Sequence, residues 1–270
     1  MCRVLKVSRS GYYLWSRRPV SRRSRENRKL LEAIRRVYLE SRKRYGSPRI
    51  YQQLRGDGIF CGRHRVARLM RQNDIVCTRS IRYKCADRSK QRRLTVAANI
   101  LDRQFRVSQP NRVWASDITC FWTGGGWLHL AIVMDLFSRR VIGWAMGNRM
   151  TEELAMSSLS MALLDRRPGG NNLLHHSDQG TQYTSDRFQR TLRENRLTCS
   201  MSRKGECHDN AVVESFFKTV KTEIPWHRRF KTREEARKEL FEYIEVFYNR
   251  KRLHSTLGYM SPVAYEAKLT

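Results

Sequence analysis

From Asn111 onward the hydrophobic period of the chain changes repeatedly, and the order of those changes restricts the folds open to it. Val113–Trp122 is rich in β-branched and aromatic residues, and Thr123-Gly124-Gly125-Gly126 is a hairpin turn signal. Trp127–Leu136 and Arg140–Gly147 read as two further strands. Thr151–Asp165 takes a helical period, with Leu154, Leu159, Ala162 and Leu163 available for packing. Leu173–His176 is a short apolar strand ending on Ser177-Asp178, Asp186–Asn195 is helical, and Leu197–Met201 is a strand. A last helix opens near Asp209, within Lys204–Glu223. The order is βββ-α-β-α-β-α. Three strands joined by hairpins, followed by strands alternating with helices, imply a mixed sheet covered by helices.

The preceding part of the chain is helical. Met1–Trp15 reads as short helical pieces broken at Ser8, and the Arg- and Ser-rich Arg17–Lys29 reads as a mobile basic linker. Glu26–Arg42 places Leu30, Ile34, Val37 and Tyr38 at a helical period. Ser47-Pro48 is a helix start, with Ser47 as N-cap and proline at the first position, and that helix ends in Gly56-Asp57-Gly58. Arg63–Asn73 turns Val66, Leu69 and Met70 inward, while Arg65, Arg68 and Gln72 share another stripe. Short helices with glycine turns and a basic last helix suggest a helix-turn-helix module, with Arg65 and Arg68 expected on DNA. Arg79–Arg93 reads as a second basic linker.

Charge narrows the partner. Lys and Arg number 54 against 25 acids, a net charge of +29, and the excess is spread along the chain. That points to a polyanion, nucleic acid first, and away from a membrane surface. No apolar run reaches the roughly 18 residues of a membrane span, and no signal-peptide core opens the chain. Seven cysteines without a C-x-x-C suit reduced thiols. Cys61-x-x-His64 followed by Cys77 or Cys85 has poor spacing for zinc, and no zinc is expected.

Three acids fall at particular places on this order of elements. Asp117 lies within the first strand, Asp178 just past the fourth, and Glu214 on the last long helix, with Lys218 and Lys221 on the same helical stripe as Glu214. The order of elements is that of the ribonuclease H-like fold, in which the first and fourth strands are neighbours and that helix packs beside them. Carboxylates converging there repel unless cations neutralise them. Their oxygens suit Mg²⁺, with Mn²⁺ tolerated. Two such ions about 4 Å apart support in-line displacement at phosphorus. Other residues have competing readings. Asp135 is a fourth acid near the site or a strand-end salt bridge. His176 tunes Asp178 or packs beneath its loop. Asp209 is read as the helix N-cap, Asn210 could orient Glu214, and His254 could touch DNA.

The flanking text carries a resemblance. Asp178 and Glu214 are separated by 35 residues, the spacing of the DD(35)E integrases and transposases. Trp114-Ala-Ser-Asp117-Ile-Thr resembles the first acid box, His176-Ser-Asp178-Gln-Gly180 the second, and Asp209-Asn-Ala211 with Glu214-Ser-Phe-Phe217 the third. Val133-Met-Asp-Leu-Phe-Ser-Arg139 and Val141-Ile-Gly-Trp144 resemble the intervening strands. Tyr248-Asn-Arg250, His254 and Leu257-Gly-Tyr-Met-Ser-Pro262 resemble the closing signature, and Arg44-Tyr-Gly-Ser-Pro-Arg-Ile50 the helical domain upstream. Together they resemble the second-reading-frame transposases of the insertion sequence three family, relatives of retroviral integrases, over nearly the whole chain.

The resemblance implies a DNA transposase that nicks element ends and joins the freed 3′-hydroxyl to another phosphodiester. Asp117, Asp178 and Glu214 would be catalytic metal ligands, and Lys218 and Lys221 would contact terminal DNA. The implied partners are element ends, target DNA, further copies of the chain on DNA, and the upstream-frame protein or its frameshift fusion. The chain has no heptad zipper, so it is expected to be the downstream product, cytoplasmic and nucleoid-associated. The expected plan is a basic helical segment (1–23), an all-α helix-turn-helix-like domain (24–80) and a basic linker (81–107). A ribonuclease H-like α/β core (108–224) and a C-terminal helical extension (225–270) follow. A non-catalytic DNA-binding regulator and a ribonuclease H-type nuclease are the competing functions.

Overall fold

The computed structural model describes residues 2–77, 96–169, 172–224 and 230–268. It divides into two units, Met1–Thr78 and Arg79–Thr270. The linker expected at Arg79–Arg93 and the break expected at Pro225 lie outside the described residues.

In the first unit, α1 (Arg9–Ser16) is capped by Ser8, whose hydroxyl accepts the Gly11 N–H. The basic run after it is mostly helix. Ser21 accepts the Ser24 N–H and opens α2 (Arg22–Glu40), so the linker expected through Lys29 ends at Ser21. A side-chain cap supplies a helix start that charge composition alone does not reveal. Leu30, Ile34 and Val37 of α2 are buried with Ile50 and Leu54 of α3 (Ser47–Gly56) and Val66, Leu69 and Met70 of α4 (Arg63–Gln72). Gly46, and not Ser47, is the cap of α3, with Pro48 in its first turn.

The second unit is built on one five-stranded sheet. Its strands are β1 (Val113–Thr123), β2 (Gly126–Asp135), β3 (Val141–Gly147), β4 (Leu173–Ser177) and β5 (Leu197–Met201), in the order β3-β2-β1-β4-β5. The β1–β2 and β2–β3 pairs are antiparallel, and the β1–β4 and β4–β5 pairs are parallel. This is the mixed sheet that the order of elements predicts. Helix α5 (Glu152–Arg166) packs on β3 so closely that a Cβ on Gly143 would collide with the Ser158 carbonyl and Ala162 backbone. Trp114, Val133, Ile142, Leu159, Leu173, Tyr183, Phe188 and Leu192 form the core between the sheet, α5 and α6 (Asp186–Glu194).

Helix α7 (Ala211–Glu223) buries Val213, Phe216, Phe217 and Val220. The C-terminal segment is bound into the same unit. Thr232 caps α8 (Arg233–Phe241) by accepting the Glu235 N–H, and the chain continues as a π-helical turn over Glu242–Tyr248. Asn249 pairs with both the N–H and the carbonyl of Val141, covering part of the β3 edge. Glu266 of α9 (Pro262–Ala267) accepts from Ser138, Arg140 and Arg166. Glu223, at the end of α7, takes a two-pronged bond from Arg252, with Nη2 at 2.7 Å and Nε at 2.9 Å, and a third from the Tyr243 hydroxyl at 2.8 Å. Both charged residues are buried. No helix among the described residues is long and apolar enough to cross a membrane.

Removing one partner of a buried ion pair strands the other charge, whereas replacing both with apolar side chains avoids that cost. Arg252→Ala is therefore expected to lower the unfolding free energy by about 3–5 kcal/mol. The double replacement Glu223→Met/Arg252→Met should recover most of that loss. Urea unfolding of the three proteins checks both expectations.

Candidate active site

The site is organised by the parallel pairing of β1 and β4. The last pair across them is Ala115 with His176. Asp117, on β1, and Asp178, the first residue past β4, each lie two residues beyond it. Asp117 is half-buried, and its Oδ1 accepts the Ile118 N–H at 2.7 Å. Asp178 opens the loop after β4, and its Oδ1 accepts the Gly180 N–H at 3.0 Å. A Cβ on Gly180 would stand 2.9 Å from that same oxygen and would push the carboxylate aside.

Glu214 comes from α7, whose start is tied to β1. The side-chain Nδ2 of Asn210 donates to the Ser116 carbonyl at 3.1 Å, one residue before Asp117. Asn210, a candidate for orienting Glu214, bonds to the strand and ties to it the helix that carries Glu214. Burial raises the pKa of Asp117 well above the carboxylate range, and the charges of Asp178 and Glu214 push it further. The Ile118 N–H and the charge of Lys221 oppose that rise. Burial also raises Asp178, despite its exposed position on the rim, and Glu214. All three acids thus meet electrostatically at Asp117. Among the described residues, no group of three His, Cys, Asp or Glu is gathered tightly enough to form a ready metal cage.

Lys221 stands over the buried Phe121 ring, 5.7 Å from its centroid, and its charge reaches Asp117. Lys218 is exposed on the same helix. In the first unit Arg68 is exposed, but Arg65 is engaged with α2, donating to Asn27 at 2.7 Å and approaching Glu26 at 3.4 Å.

Four further residues occupy places the sequence left open or misassigned. Asp209 does not cap α7, since Asn210 holds the cap position. Its buried carboxylate accepts from Arg203, Arg103 and Asn99, and those arginines hold its pKa well below the usual range. Asp135 is fully buried and accepts the backbone N–H groups of Asn111 and Phe137, both at 2.9 Å, in place of the expected strand-end salt bridge. His254 packs against Tyr248 and is buried. His176 is packed beneath the loop. The Ser200 hydroxyl accepts the Ile100 and Leu101 N–H groups, so its own hydrogen goes to His176 Nδ1, and His176 Nε2–H goes to Ser202. Burial lowers the His176 pKa to about 4, so the ring is neutral.

The comparisons with known proteins agree with this architecture. An HTH-like domain matches residues 24–83, and an integrase core domain matches residues 107–207. A second integrase core match, over residues 214–269, joins Glu214 to the C-terminal segment held by Glu223 and Arg252. The insertion element IS600 uncharacterized 31 kDa protein of Shigella sonnei is 41% identical over 268 residues, covering 99% of this chain and 98% of that protein. Transposase InsF for insertion sequence IS3A of Escherichia coli is 42% identical over 270 residues, covering 99% of this chain and 93% of that protein.

The chain belongs to the IS3 family of transposases.

As an IS3-family chain it pairs an HTH-like helical unit with a ribonuclease H-like integrase core, as its resemblance implied. A distant likeness also exists to the simian T-cell lymphotropic virus intasome in complex with PP2A regulatory subunit B56 gamma. It has 17% identity and a TM-score of 0.48, covering 76% of this chain and 70% of that one.

The raised Asp117 pKa has a defined consequence for stability. The folded protein keeps a proton there that the unfolded chain has already released, so stability falls as pH rises from the ordinary carboxylate range through the raised value. In a chelator, the melting temperature of wild type should therefore fall across that window more steeply than that of Asp117→Asn. Melting curves at a series of mildly acidic to neutral pH values check this.

Proposed function

We propose that this IS3-family transposase cuts DNA at the ends of its element and transfers the freed 3′-hydroxyl to a new phosphodiester, using Asp117, Asp178 and Glu214 as its metal-holding carboxylates. The observation that supports this reading is that Asp117 and Asp178 each follow the last β1–β4 pair by two residues, with Asn210 tying the helix of Glu214 to β1. The donor set fits a hard divalent cation, being all carboxylate oxygen with a mutual repulsion that a cation relieves. Mg²⁺ is the expected ion, Mn²⁺ is expected to substitute for it, and no zinc is expected. When bound, a pair of such ions supplies an activated attacking oxygen and charge stabilisation at the leaving oxygen.

The chain's own residues do the rest. Gly180 N–H and Ile118 N–H each hold one carboxylate oxygen and leave the other free to turn toward the site. Asn210 anchors α7 to β1, so Glu214 enters from a fixed direction. Lys218 and Lys221 follow Glu214 along α7 and are proposed to grip the terminal phosphodiesters beside the reacting one. Arg68, exposed on α4, is a candidate contact for the helical unit. Arg65 is a weaker one, since DNA would have to draw it from Asn27. The partners follow from this chemistry: element ends, target DNA, and further copies of the chain assembled on DNA. The upstream-frame protein or its fusion is a further proposed partner, and a cytoplasmic, nucleoid-associated setting is proposed for the whole.

Asp117→Asn, Asp178→Asn and Glu214→Gln are each expected to abolish Mg²⁺-dependent nicking and joining of a labelled element end, with binding to that end nearly unchanged. Full activity in any one of them would remove that residue from the site. Lys218→Ala or Lys221→Ala is expected to weaken end binding and to reduce the log–log salt slope by about one unit for each phosphate no longer neutralised. Binding isotherms at several salt concentrations measure it.

A further inference from the structure

The turn before α1 closes as an α-helix closes. Val7 N–H donates to the Cys2 carbonyl at 3.1 Å and Lys6 N–H to the Arg3 carbonyl at 3.4 Å, while Lys6 takes a left-handed φ of 51°. That pair of bonds around a left-handed residue ends many helices. Ser8 follows at once and caps α1, accepting the Gly11 N–H at 3.0 Å. A helical turn, the corner Lys6-Val7-Ser8 and a capped second helix together make the backbone pattern of a helix-turn-helix corner. This corner precedes the HTH-like domain matched over residues 24–83 and is separate from it.

No side chain of α1 is buried among the described residues, so its surface is open. At the helical period, Arg9, Ser10, Tyr13 and Arg17 fall within a sector of about 100°. The Arg17 guanidinium lies 6.0 Å from the centroid of the Tyr13 ring, which places those two side chains together. Eight lysines and arginines precede the first acid of the chain, Glu26, so the segment is charged for a polyanion. Tyr12, Leu14 and Trp15 are exposed outside that sector. A basic helix carrying such residues is also of the kind that lies on anionic lipid. The corner decides between the two, because a lipid-bound helix has no need of it, whereas it is what aims the second helix of a helix-turn-helix at DNA.

We propose that α1 is a second DNA-reading element, whose Arg9-Ser10-Tyr13-Arg17 face enters the major groove of the element-end duplex. A helix about 10–12 Å across fits a groove about 12 Å wide. In that docking the first residues of the second helix meet base edges, which gives Arg9 and Ser10 the bases and Arg17 a phosphate. This rests on the reading that the chain acts at the ends of its element.

The test is fluorescence anisotropy of the full chain with a labelled duplex carrying the element's own end, and with a mixed-sequence duplex of equal length, at several salt concentrations. Wild type is compared with Arg9→Ala, Tyr13→Ala, Arg17→Ala and Arg18→Ala, the last removing the same charge beyond the helix. Melting temperatures should be unchanged, since α1 buries no side chain. Arg9→Ala is expected to lose about tenfold of the preference for the end over the mixed duplex. Tyr13→Ala should lose preference as well, although no charge is removed. Arg17→Ala should weaken binding to both duplexes and lower the log–log salt slope by about one unit. Full preference in Arg9→Ala and Tyr13→Ala, beside a wild type that discriminates, would overturn the role of α1 and leave action at element ends standing. Equal losses in Arg18→Ala and Arg9→Ala, with none in Tyr13→Ala, would make the segment a diffuse basic contact and overturn the groove reading. Binding to phosphatidylserine vesicles more tightly than to either duplex, lost in Trp15→Ala, would assign α1 to a lipid surface and overturn it also. A wild type that does not discriminate would overturn both this proposal and the reading on which it rests.

Discussion

The parallel pairing of β1 with β4 is the constraint on which the catalytic unit depends. Asp117 and Asp178 each follow its last pair by two residues, and α7, which carries Glu214, is anchored to the same strand β1. Burial is the larger cause of the raised Asp117 pKa, and conflict with the charges of Asp178 and Glu214 adds to it. A fold that accepts such a conflict must fix the carboxylates by other bonds, or they would turn apart into solvent. Ile118 N–H, Gly180 N–H and the Asn210 amide supply those bonds here, each from a residue adjacent to an acid or to the element carrying it.

The rest of the second unit braces that arrangement from a distance. Helix α7 has Glu214 near its N-terminal end and Glu223 at its C-terminal end, where Arg252 and Tyr243 hold it. Asn249 and Glu266 fasten the same C-terminal segment to β3, α5 and the turn before β3. The segment after residue 230 is therefore part of the catalytic body, which agrees with a single family match running from residue 214 to 269. A buried ion pair contributes little net stability by comparison with apolar packing, but it tolerates only one geometry.

Local sequence signals were sufficient wherever a local force decides the outcome. The strands, the glycine hairpin, the Thr232 cap and the inward faces of α2, α3 and α4 follow from side-chain period and capping chemistry. The same signals failed where two local tendencies compete. The Arg- and Ser-rich run before Lys29 looked like a linker by charge, yet Ser21 capping begins a helix inside it. Asp209 had the residue type and position of a cap, yet Arg203 and Arg103 outcompete the helix N-terminus for its carboxylate. Arg65 shared a stripe with Arg68, but a neighbouring helix offered it Asn27.

By itself the sequence determined the types and order of the elements, the basic character of the chain and the three acids at their spacing, because these depend on residues close together or on a pattern read directly. Only the tertiary structure decided that Asp117 and Asp178 both follow the last β1–β4 pair, that Asn210 ties α7 to β1, and that Arg252 reaches Glu223. Each of those depends on which strands are neighbours and in which direction they run. Strand pairing brings together residues tens of positions apart, and no local period or spacing encodes which side chain will meet which.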